Sequence, residues 1–199
     1  MNAFKANIFL VPMGIGSAVV LYLSTKSNDL FADNSTCYLP ILFLLLLSFV
    51  YFTADFISMI VRYKPENKIY FLHHLVGIVS IPLVYFKHYY LVKYALAYLT
   101  YELSTPFLNI SLANRKAGIH GVYAQFIEIL FFITFTLVRI IFGTYLLYIT
   151  VPIIYSIDYP EKYLLVLPIG IHALNLWWYN KILKMMHRKF IARNITKKN

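Results

Sequence analysis

The stretch Ile69-Tyr-Phe-Leu-His73-His74-Leu-Val-Gly-Ile-Val-Ser-Ile-Pro-Leu-Val-Tyr-Phe86 decides how this chain folds. It is apolar throughout except for two adjacent histidines, and Lys68 and Lys87 bracket it. Wound as an α-helix at ~1.5 Å per residue, it is ~27 Å long, close to the ~30 Å of a bilayer's hydrocarbon core. Backbone in hydrocarbon must satisfy its own hydrogen bonds, and the run does not alternate like a barrel strand, so a membrane helix is predicted. An ionisable side chain is costly there, so the histidine pair marks a candidate functional position.

The rest of the chain repeats this pattern. With 60% hydrophobic and 13% charged residues and a mean hydropathy of +0.67, the 199 residues carry too little polar surface for a soluble globule. Apolar runs at residues 8–23, 38–61, 69–86, 89–112, 122–148 and 163–182 predict six transmembrane helices in one all-α domain, 1–199, ending in a basic tail, 185–199. The first run is read as a retained anchor, because Lys5 precedes it but no small-x-small cleavage site follows. The fifth stays apolar to Ile157, and Gly143 or Pro152 is expected to bend it. Lys5, Arg62, Lys64, Lys68, Arg115, Lys116 and the tail from Lys181 to Lys198 fall on one side, predicting that both termini are cytosolic. Asn34-Ser35-Thr36 is a glycosylation sequon placed by this topology in the first lumenal loop. The lone Cys37 can form no internal disulfide. The net charge of +10 is concentrated beside a span, where it suits anionic lipid headgroups; no motif suggests nucleic acid.

Asp55, His73, His74, Glu128 and Asn175 all count to within ~8–10 Å of the cytosolic ends of their runs, with Glu102 deeper and Asn109 shallower. Glu102, Thr105 and Asn109 share one helical stripe, and His172, Asn175 and Tyr179 another. Consecutive histidines point ~100° apart, so only one of His73 and His74 can fill a given role, and the spacing does not choose. A plainer reading stands beside each: buried histidine and carboxylate can satisfy each other between helices. Arg139 is read as an inter-helix anchor or headgroup contact, too far along its helix to reach Glu128. Lys93 is expected to snorkel among tyrosines, and Trp177-Trp178-Tyr179 to anchor at the interface.

Five elements carry a resemblance. Tyr51-Phe-Thr-Ala-Asp55-Phe-Ile-Ser-Met-Ile60, His73-His74, Glu102-Leu-Ser-Thr-Pro-Phe-Leu-Asn109, Leu137-Val-Arg139 and Leu174-Asn175-Leu-Trp-Trp-Tyr-Asn-Lys-Ile182 together resemble, in order and spacing, the TLC-domain membrane proteins, a family that includes the ceramide synthases. The Glu-Leu-Ser-Thr-Pro-Phe-x-Asn segment is most similar to the generic TLC-domain-containing branch. The resemblance implies a barrel-like bundle of six helices around a lipid-sized cavity in an endoplasmic-reticulum-type membrane, and work in lipid metabolism or homeostasis. In the synthases a histidine of the pair is thought to take the acyl group from acyl-CoA. Where they carry His-Asp-x-x-Asp, this chain reads Tyr101-Glu102-Leu-Ser-Thr105, a departure that argues against ceramide synthesis.

Two functions compete. In the first, acyl-CoA is a co-substrate and His73 or His74 acts as nucleophile or base. Glu102 or Asp55 then holds its tautomer, Asn175 donates to an oxyanion, and Thr105, Asn109, His172 and Arg139 contact substrate. In the second, the same residues surround a bound membrane lipid without turnover. A transporter or proton relay ranks last, lacking an inverted repeat. No metal or other cofactor is expected, since adjacent histidines on a regular helix do not readily share one ion.

Overall fold

The computed structural model describes residues 10–19, 38–63, 68–157 and 161–196. The sequon at 34–36, Cys37, Lys5, Lys64 and the ends of the first apolar run lie outside the described residues. Everything regular that is described is helical: α1 (Leu10–Val19), α2 (Tyr38–Val61), α3 (Lys68–Lys87), α4 (Val92–Leu99), α5 (Thr105–Lys116), α6 (Val122–Phe135), α7 (Phe142–Tyr155) and α8 (Val166–Thr196). Short 3₁₀ segments cover Tyr89–Leu91, Thr100–Ser104 and Glu161–Leu165, and a π-turn covers Thr136–Ile141.

Among the described residues three helices are long and apolar enough to cross a bilayer: Leu39–Val61, Ile69–Lys87 and Val122–Tyr155. The other expected spans take different forms. The described part of the first is the ten-residue α1. The fourth is broken at Thr100–Ser104, and α8, though 31 residues long, dilutes its apolar residues with His172, Asn175, Asn180 and the lysines that follow. The fifth continues past Tyr148 to Tyr155 and tolerates Pro152 inside α7; its irregularity is the π-turn just before Gly143. The basic segment from Met185 onward continues α8 as helix to Thr196.

The chain divides into two compact units, Met1–Phe131 and Phe132–Asn199. In the first, α2 and α3 pack antiparallel: Phe52 meets both imidazoles of α3 and Phe56 meets Phe71. Close approach depends on Gly77, where a Cβ would lie 2.7 Å from the Phe52 ring. Leu10, Met13 and Ser17 form the buried stripe of α1. A Cβ on Gly14 would lie 3.1 Å from the backbone nitrogen of Leu103, so α1 rests against the 3₁₀ turn that carries Glu102.

Pro106 accounts for that turn. Proline has no N–H for the Glu102 carbonyl, and its ring crowds the carbonyl four residues back. The Thr105 N–H bonds the Glu102 carbonyl instead, tightening this stretch to 3₁₀ geometry before α5 begins. At the other end of α5 the Ile119 N–H reaches the Asn114 carbonyl and the Gly118 N–H that of Arg115, a Schellman closure with Gly118 at φ 67°. In the second unit α8 packs against α7 and the π-turn.

Candidate functional site

Two histidine–carboxylate pairs occupy the first unit. His73 Nε2 lies 3.5 Å from Glu102 Oε1, and His74 Nε2 lies 3.2 Å from Asp55 Oδ2. Their ~100° divergence on α3 is what lets neighbours in sequence address different elements: His73 faces the 3₁₀ turn and His74 faces α2. The Phe52 ring sits edge-on to both, at 5.9 Å and 5.5 Å between centroids, and Tyr51 borders His74 at 6.2 Å.

The pairs differ in burial. The Glu102 side chain is 5% exposed and that of Asp55 26%, so the Glu102 pair is the more enclosed. It is also extended by a third group: Thr105 Oγ1 donates to Glu102 Oε2 at 2.7 Å. One carboxylate oxygen is thereby held by Thr105 while the other faces His73. Such a carboxylate favours the tautomer with hydrogen on Nε2, which puts the basic lone pair on Nδ1. Asn109, one turn beyond Thr105 on the same expected stripe, is half-buried.

Glu128, expected in the polar layer, is buried and accepts two bonds from Arg115, Nη2 at 2.9 Å and Nε at 3.2 Å. Sequence reasoning assigned Arg115 to topology alone. The signal that pointed to it was the Gly118–Gly121 turn, which folds α6 back beside the end of α5.

The remaining candidates gather in the second unit. Arg139, buried in the π-turn, donates from Nη1 to Asn175 Oδ1 at 3.3 Å, a contact between the π-turn and α8. Its guanidinium lies 5.3 Å from the Phe135 ring and 6.0 Å from that of Trp178. His172 Nε2 is 3.4 Å from Thr144 Oγ1. Of the three aromatic residues expected at the interface, Tyr179 stacks on Phe132 and Phe135 and Trp178 borders the arginine. Trp177 is exposed, with Lys181 Nζ 3.5 Å above its ring. Among the described residues no group of three His, Cys, Asp or Glu side chains is placed to hold a metal.

A TLC-domain family model matches residues 4–184, which takes in both histidine–carboxylate pairs and the Arg139–Asn175 contact. The chain belongs to the TLC-domain family. A TLC domain-containing protein of Acanthamoeba polyphaga mimivirus is 47% identical over 194 residues, covering 96% of this chain and 97% of its own length. A second, from Schizosaccharomyces pombe, is 30% identical over 145 residues; these cover 70% of this chain and 49% of that one, so the chain matches about half of the yeast protein. With three bilayer-length apolar helices, this TLC-domain chain is an integral membrane protein.

Proposed function

We propose that this protein transfers an acyl group from acyl-CoA to a membrane lipid acceptor, with His73 as the base. The observation that carries the reading is the enclosed chain His73–Glu102–Thr105, built from α3 and a 3₁₀ turn fixed by Pro106. In the reaction His73 Nδ1 takes the proton of the acceptor's hydroxyl or amine as that atom attacks the thioester carbon. Glu102 stabilises the imidazolium through Nε2–H. The carbon–sulfur bond breaks and the thiolate leaves with the proton from Nδ1, so acyl-CoA and acceptor become acylated lipid and free CoA. Asp55 orients His74 in parallel, as a positioning pair on the more exposed side.

The reading places the chain as six spans around a lipid-sized cavity, in an endoplasmic-reticulum-type membrane with both termini cytosolic. The clustering of basic residues on one side supports it. Purified protein in nanodiscs, given labelled long-chain acyl-CoA and a lipid extract, should form labelled lipid, and His73→Ala should abolish it. Unchanged turnover in His73→Ala would remove the proposal.

One observation favours a second reading, lipid binding without turnover. The position implied to be histidine in the synthases holds Tyr101, 2% exposed and packed edge-on against Tyr98. A lipid retained in native mass spectrometry, together with an unchanged lipidome on deletion, would select it.

A further inference from the structure

We infer that the Arg139–Asn175–His172 cluster is a second binding site, for a phosphomonoester, separate in chemistry from the His73 proposal. Arg139 on the π-turn and Asn175 and His172 on α8 are all buried, within one unit in which α8 packs against the π-turn and α7. Two of their polar atoms, Asn175 Nδ2 and His172 Nδ1, are buried with no hydrogen-bond partner among the described residues. Asn175 is wholly inaccessible, and a buried polar atom left without a partner, donor or acceptor, is costly, so these two atoms point to a ligand that completes them.

The hydrogen-bond directions say what that ligand must carry. Asn175 Oδ1 accepts from Arg139, so its Nδ2 is a donor awaiting an acceptor beside the guanidinium. The Thr144 hydroxyl hydrogen is committed to the Ile140 carbonyl at 2.7 Å, so toward His172 the hydroxyl accepts, which fixes hydrogen on Nε2. Nδ1 of neutral His172 is then an acceptor. A ligand that meets both needs anionic oxygens for Arg139 and Asn175 and an O–H for His172. A phosphomonoester monoanion has both, whereas a carboxylate lacks the hydroxyl. The sign of the charge agrees: residues 132–199 contain nine Lys and Arg and two acidic residues, Asp158 and Glu161. The rings of Phe135 and Trp178 border the guanidinium, at 5.3 Å and 6.0 Å. A π-turn in a long helix recurs at functional sites, and here it carries the arginine.

The full-length protein carrying Trp177→Phe leaves Trp178 as the sole tryptophan reporter for titrations in phosphatidylcholine nanodiscs. Phosphatidic acid, inorganic phosphate and oleate are the three probes. Saturable binding is expected for a phosphomonoester and at least tenfold weaker binding for oleate. A response to phosphatidic acid assigns the site to a lipid headgroup, and a response to inorganic phosphate assigns it to a free anion. Asn175→Asp, which sets a carboxylate against Arg139, and Arg139→Gln should each weaken binding tenfold or more. Asn175→Asp retains a partner for the arginine and so keeps the test valid if Arg139→Gln fails to fold. His73→Ala should bind as wild type, so this inference and the acyl-transfer reading fail separately. Equal binding of oleate, absence of saturable binding, or wild-type binding by Asn175→Asp would overturn it.

Discussion

Replacing Glu102 by Gln keeps the shape of the enclosed chain and changes only its charge and its donor pattern. The amide oxygen can still accept from Thr105, which donates at 2.7 Å to one carboxylate oxygen. The amide nitrogen then faces His73 Nε2 across the 3.5 Å now spanned by the other oxygen, and a donor meets a donor. His73 relieves this by moving its hydrogen to Nδ1, which removes the lone pair the reaction needs. Loss of general-base function corresponds to ~10²–10⁴-fold in rate. The imidazolium also loses its counter-charge, and the low exposure of Glu102 leaves little water to replace it. Turnover of labelled acyl-CoA into lipid should therefore fall at least 100-fold in nanodiscs. The thermal midpoint should change little, since a near-isosteric residue fills the same space. Turnover within threefold of wild type, in a protein that melts normally, would refute the assignment of Glu102.

Thr105→Val removes the hydroxyl that steadies Glu102 and should lower turnover by roughly tenfold, corresponding to ~1.4 kcal/mol, about one hydrogen bond; equal rates would show the contact is idle. Gly77→Ala places a Cβ 2.7 Å from Phe52 and should destabilise by ~1–3 kcal/mol, partly restored by Phe52→Leu in the same chain, as read by thermal melting in detergent. In a double-mutant cycle on stability, Arg115→Met and Glu128→Gln should couple by ~1–2 kcal/mol. The buried carboxylate gives the pair weight and the half-exposed arginine reduces it; zero coupling would make the contact ornamental.

Much of the first unit was legible in the sequence. The run at 38–61 became α2 with those ends, and the run at 69–86 became α3 with one more residue at each end, because Arg62 closes the first long apolar stretch and Lys68 and Lys87 bracket the second. Glu102 and Thr105 were placed on one stripe, and they are hydrogen-bonded. The choice between His73 and His74 was not legible, because periodicity describes one helix while the answer depends on where two carboxylates on other elements lie. Nor was the 3₁₀ turn, since the apolar pattern runs through it and only Pro106 betrays it. The Arg115–Glu128 pair escaped because Arg115 already had a sufficient explanation as a topology charge. In the second unit the i, i+3 stripe of His172 and Asn175 was visible, but the π-turn that carries Arg139 shifts the helical phase in a way no apolar count reports.

The central claim, that His73 and Glu102 act as one unit, is tested most directly by their double-mutant cycle on acyl-transfer rate. Groups that share a function are strongly non-additive, so His73→Ala with Glu102→Gln should be no slower than His73→Ala alone. A double variant whose loss equals the product of the two single losses would show that the residues work independently, and would contradict the account.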